Sequence, residues 1–166
     1  MVDESFTNQL NSWNEKTSLK EIKFNRGIER ETLRVSQDGS ISKRPHPKSL
    51  GSALTNPYIT TDFAEALIEL VTPKFDNVDD LYSCLQDLHV FTAQNIDEDE
   101  FLWAHSMPCR IENESDINIA DYGSNDSGML KHIYRKGLRV RYGSIMQCVS
   151  GIHYNFSIDE KSYSNL

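Results

Sequence analysis

The stretch NRGIERETLRV, Asn25 to Val35, reads as a β-strand and sets Glu29 and Glu31 one residue apart. Successive side chains of a strand point to opposite faces. Glu29, Glu31, Leu33 and Val35 therefore share one face, and Arg30, Thr32 and Arg34 share the other. Two carboxylates on one surface repel unless water, arginines or metal ions lie between them. The segment is then either a solvated sheet face, with Arg30 and Arg34 as counter-charge, or an ion site.

Outward from this strand, Phe6, Leu10 and Trp13 fall at i, i+4 and i+7 in a polar background, the spacing of an N-terminal amphipathic helix. Asp38-Gly39 offers the chemistry of a tight hairpin turn, with Ile41 to Arg44 returning as a second antiparallel strand. Pro45, Pro47, Gly51 and Pro57 mark a long irregular segment, of the kind that often carries function. ITTDFAEALIELVTP, from Ile59, admits helix by its Ala, Glu and Leu content or strand by its apolar run; the reading adopted is a turn through Asp62 and Phe63, then a strand from about Ala66 to Thr72, ended by Pro73. Leu81, Leu85, Leu88 and Thr92 form a helical stripe between Val78 and Asn95, with Asp79 and Asp80 at the favourable N-terminal end.

DEDE at 97–100 reads as a solvated loop, and YGSNDSG, Tyr122 to Gly128, as a flexible linker. In MLKHIYRKGLRVRYG, Lys131, Arg135, Lys136, Arg139 and Arg141 gather without an acid among them, a local reversal of sign that suits an anionic ligand. SIMQCVSGIHYNFSID alternates from Met146 to Ile158 and reads as one strand with a polar face near its end.

The chain has 166 residues, the length of one ordinary domain, and a formal net charge of -8. A surplus of acid argues against nucleic acid or an anionic membrane as the main partner. No apolar run approaches the roughly 20 residues of a membrane helix, and Met1 to Asn11 lacks a secretory layout, so a soluble, cytoplasmic protein is expected. Cys84, Cys109 and Cys148 have neither a disulfide pattern nor zinc spacing and read as buried thiols.

Glu29 and Glu31, with Glu69 on a second strand and His153 on a third, are able to meet over one sheet. Hard divalent cations take such carboxylate oxygens. The alternative is a solvated face, and for His153 a hydrogen-bonded core histidine. Glu65 and Glu69 are exposed neighbours if helical; if stranded, Glu69 lies between Leu67 and Val71, where an unpaired charge is costly. Tyr134 and Leu138, at i and i+4 on the basic helix, point together and would line a pocket. The phosphate loops G-x-x-x-x-G-K-[ST] and G-x-G-x-x-G are absent.

Taken together and in order, RGIERETLRV, LGSALTNPYITTDFAEALIELVTP, SMPC, YGSNDSG, YRKGLRVRYG and SGIHYNFS closely resemble the glutamate-cysteine ligases of proteobacterial type, from about residue 20 to 158. The resemblance implies an α+β, glutamine-synthetase-like fold with a mainly antiparallel, curved sheet and flanking helices. It implies the ATP-dependent joining of the γ-carboxylate of L-glutamate to L-cysteine through γ-glutamyl phosphate, the first step of glutathione biosynthesis. By the same resemblance Glu29, Glu31 and Glu69 hold Mg2+, or Mn2+ in its place, around the ATP phosphates, with His153 a further metal or nucleotide contact and Asp62 a supporting acid. Tyr134, Leu138, Gln147 and Phe63 resemble the wall of the cysteine pocket. Chains of this family are about three times as long, so residues 1–166 are expected to be the N-terminal part of a single ligase catalytic domain, incomplete and inactive alone. The alternative is a catalytically dead remnant that serves as a binding or regulatory module.

Overall fold

The structure, a computed structural model, describes residues 4–16 and 22–163. Its organising element is strand β1, Phe24–Ser36, thirteen residues long. Along one stretch β1 pairs with β3, Leu67–Val71; over residues 24–30 with β5, Ile152–Ile158; and at its end with β4, Glu100–Leu102. A short β2, Ile59–Thr61, adds to β3, and every pairing is antiparallel. Helices α1, Glu4–Lys16, α2, Val78–Asn95, α3, Asp126–Tyr142, and the short α4, Glu160–Tyr163, complete an α+β fold. The expected antiparallel sheet with flanking helices is the one found.

Strand parity decides what each face meets. Ile59, Ile68 and Leu70 share a face with Arg30 and Thr32, and pack with Leu50 against Leu85, Leu88 and Ile96 at the α2 side. Asn77 begins α2 by accepting the Asp79 N–H, a side-chain cap on a helix whose stripe runs as expected. The opposite face carries Leu33, Val35 and Leu67, which join Phe63, Ala64, Ile117 and Cys148 in a second core, with Leu138 of α3 packed on it. That cover stops short of the sheet's other end, where Glu29, Glu31 and His153 stand. In α1, Phe6 and Leu10 are exposed among the described residues; the side chain of Trp13 lies outside them.

Four expectations are corrected. DEDE is not all solvated loop: Glu100 belongs to β4 and is 5 % exposed, because its carboxylate meets the fully buried guanidinium of Arg34 through two 2.9 Å bonds. Arg34 also donates to the carbonyls of Arg44, Pro45 and Glu65, and Ser42 donates to Glu100. Ile41 to Arg44 does turn back, yet forms only an isolated bridge to Val35, since the same edge of β1 passes at Arg34 to the chain entering β3, where the Arg34 N–H donates to the Ala66 carbonyl, and Arg34 engages the returning chain by its side chain. YGSNDSG is no flexible linker. Tyr122 is buried, Asn125 caps α3 by accepting the Gly128 N–H, and a Cβ at Gly128 would lie 2.5 Å from the Tyr122 carbonyl oxygen. Finally, Ile145–Cys148 is a 3-10 turn, so the last strand begins only at Ile152; Cys148 is drawn into the core rather than left on a sheet face.

Breaking one partner of a buried ion pair strands the other charge, at about 3–5 kcal/mol. Glu100→Ala should therefore lower the urea midpoint sharply, whereas Glu112→Ala, which removes the exposed partner of Arg110, should leave it almost unmoved. Equal effects of the two substitutions would contradict this view of Arg34.

Candidate functional site

Pairing register brings the acids together. Glu31 stands opposite Glu69 across β1 and β3, and Glu29 opposite His153 across β1 and β5, so all four share one face. Like charges directly opposite in a sheet are destabilising. Asp62 enters from the bend after β2, and its charge raises the proton affinity of both Glu31 and Glu69. Burial pushes the Glu69 carboxyl up to about 7, with Asp62, Glu31 and Glu29 adding to the shift and His153 opposing it. The Glu31 carboxyl is raised too, mainly by burial, against the pull of the Gly151 N–H.

Hydrogen bonds hold the donors in place without consuming them. His153 Nδ1 lies 3.2 Å from Glu29 Oε2, and Asn155 Nδ2 donates to Glu29 Oε1 at 3.1 Å. Gly151 N–H donates to Glu31 Oε2 at 2.6 Å. His153 Nε2 and Glu31 Oε1 are not engaged by these contacts. The Asp62 carbonyl accepts from Arg135 of α3 and from Tyr122 Oη at 3.1 Å, while the Arg135 guanidinium stacks over the Tyr122 ring at 4.7 Å. The basic helix thus spends Arg135, and likewise Arg139, on backbone carbonyls, at Asp62 and Ile117 respectively. Lys131 lies over the Tyr122 ring.

The donor set has the chemistry of a hard-cation site: carboxylate oxygens and one imidazole, crowded and partly desolvated, with too few protein cations to neutralise them. Among the described residues no three of these groups converge as a ready-made ligand set. A cation would have to draw them together. Next to Asn155 opens a cavity of about 230 Å³ lined by Asn25, Arg26, Gly27, Thr72, Lys74 and Ser157 among others. Arg26 borders that cavity from the opposite sheet face, where its guanidinium donates to the Asp76 carbonyl and lies over the Phe24 and Phe156 rings.

The residues expected on the pocket wall are less united. Tyr134 is exposed, Gln147 is partly buried, and Leu138 leans on the core. Phe63, at 1 % exposure, lies inside that core. Asn155, Gly151 and the Arg135–Tyr122 grip on Asp62 escaped the sequence reading. Parity could have found Asn155, two residues beyond His153 on the same strand face.

A family model for glutamate-cysteine ligase matches residues 7–166. The chain is 54 % identical to the glutamate-cysteine ligase of Serratia proteamaculans over 141 residues, 85 % of this chain and 26 % of that protein, and 49 % identical to that of Vibrio parahaemolyticus over 143 residues, 86 % and 27 %. It superposes on the crystal structure of Francisella tularensis glutamate-cysteine ligase in complex with AMP with a TM-score of 0.84 and 50 % identity, covering 87 % of this chain and 29 % of that one. A bifunctional glutathione synthetase from Pasteurella multocida gives 0.77 and 34 %, with coverage of 86 % and 18 %. The chain spans about a quarter of the length of the curated relatives it matches.

A carboxyl whose folded pKa is raised favours the folded state below its unfolded value, near 4.5, and loses that advantage as pH rises through about 7. In chelator-treated protein the thermal midpoint should fall between pH 4.5 and 7, and Glu69→Gln should flatten that fall. A Glu69→Gln profile parallel to the wild type's would contradict the crowding described.

Proposed function

The chain belongs to the glutamate-cysteine ligase family, and from that membership we propose that its acidic sheet face is the metal and nucleotide floor of an ATP-dependent ligase. The reaction joins the γ-carboxylate of L-glutamate to the amine of L-cysteine, the first step of glutathione biosynthesis. The observation that carries the reading is the register Glu31 opposite Glu69 and Glu29 opposite His153, which crowds acids that a cation would relieve. The AMP complex of the Francisella relative supports nucleotide use.

A carboxylate is a poor acyl donor. In the proposed sequence a γ-carboxylate oxygen of glutamate attacks the terminal phosphorus of ATP, the bond to the ADP oxygen breaks, and γ-glutamyl phosphate forms. The cysteine nitrogen then bonds to the acyl carbon, phosphate leaves, and the ammonium-like nitrogen gives up a proton. Mg2+, or Mn2+, bound by Glu29, Glu31 and Glu69 with His153 and Asp62 beside them, would neutralise two anions in approach. The chain's own work is to hold those carboxylates oriented. Glu29 holds the imidazole of His153 through Nδ1 with Nε2 on the Gly151 side, Gly151 fixes one oxygen of Glu31, and Arg135 with Tyr122 fixes the backbone at Asp62. Lys74, which lines the adjoining cavity, is proposed to meet the nucleotide's phosphates. Tyr134, Leu138 and Gln147 are proposed to face cysteine, with Phe63 supporting Leu138 from within the core. About three quarters of a full-length relative lies beyond what this chain matches, and the complete site is proposed to need it.

Isothermal titration of the 166-residue chain with Mg2+ and a nonhydrolysable ATP analogue tests the floor directly. Binding is expected for the wild type and should vanish in Glu29→Gln/Glu31→Gln. Equal binding by both would remove the acids from the site. Amide formation from L-glutamate, L-cysteine and ATP by the chain alone should be undetectable; measurable turnover would show the site to be complete without the rest.

A further inference from the structure

Gly151 stands between two of the side chains that the site proposed above requires. Its N–H donates to Glu31 Oε2, and its carbonyl accepts the Glu31 N–H at 3.0 Å, so β1 is gripped at that residue by both main chain and side chain. Its φ is not among the positive values found at other glycines, so the backbone here is open to any residue. The space is not. A Cβ at position 151 would lie 3.2 Å from His153 Nε2, 3.6 Å from His153 Cε1 and 3.5 Å from Glu31 Oε2. The first contact is tighter than ordinary van der Waals approach, and the imidazole, exposed and tied only at Nδ1 to Glu29, is the group that would yield.

The geometry points to Gly151 as a positioning residue: its missing side chain keeps the gap between Glu31 and His153 Nε2 open, and its N–H selects which Glu31 oxygen stays available to a shared divalent cation. This rests on the metal reading of the acidic face. Oε2 of the carboxylate accepts from Gly151 and Nδ1 of the imidazole is held by Glu29, so Oε1 and Nε2 are the atoms that neither bond engages. Such outer partners orient ligands and are worth about 10- to 100-fold in metal affinity.

The test uses Mn2+ alone, followed by electron paramagnetic resonance, on the 166-residue chain and on Gly151→Ala, His153→Ala and the double variant, with His153 ring nitrogen shifts recorded by NMR before Mn2+ is added. Gly151→Ala should shift the ring resonances, weaken Mn2+ about tenfold and leave the thermal midpoint nearly unchanged. In the His153→Ala background the same substitution should cost much less, since the group it displaces is gone. Mn2+ affinity equal in wild type and Gly151→Ala would overturn the inference alone. A full loss that persists without His153 would overturn it too, as a purely structural effect. No Mn2+ binding by the wild type would overturn the metal reading and this inference with it.

Discussion

A buried guanidinium holds the register on which the rest of this fold depends. Side chains alternate along a strand, so a slip of one residue would move Glu29 and Glu31 to the α2 face and send Arg30 and Thr32 into their place. Arg34 resists that slip. Fully buried, it must keep its two bonds to Glu100 and its three carbonyl partners, and these come from β4, the chain after the hairpin turn and the bend before β3. One side chain thereby ties three segments to a single alignment of β1.

What that alignment fixes is unfavourable in itself. It places Glu31 against Glu69, adds Asp62 from the next bend, and pushes the Glu69 carboxyl up to about 7. A sequence selected only for stability would not put three acids on a half-buried sheet face. Glu65 shows the contrast: also acidic and buried, it is satisfied by the N–H groups of His46 and Asp121. The acids of the open face keep free lone pairs, which is the property a metal and nucleotide site needs. Membership of the glutamate-cysteine ligase family gives that property a use.

Much of this was legible in the residues. Period two in NRGIERETLRV gave the central strand and its faces, Pro73 ended β3, and the stripe of α2 needed no tertiary information because cap, acidic first turn and apolar spacing agree. Other parts were hidden because their cause is long range. Glu100 looks like one of four solvated acids until Arg34, 66 residues away, removes it from water. Tyr122 to Gly128 has a linker's composition, yet Asn125 and Gly128 are a helix cap and a close approach. Met146 and Cys148 alternate like a strand, but the buried Cys148 turns the backbone into a 3-10 segment. Among the site residues, parity carried Glu29, Glu31, Glu69 and His153 to one surface, whereas the burial of Phe63 followed from a core that only the fold assembles.

The claim at the centre of this account is that the cross-strand acids form a divalent-cation site. Anomalous scattering from crystals of the chain soaked with Mn2+ would locate the ion without reference to activity. The account expects a peak over β1 between Glu31, Glu69 and His153, close to Asp62. A folded crystal that shows no peak on this face at saturating Mn2+, or one whose ion sits elsewhere, would contradict it.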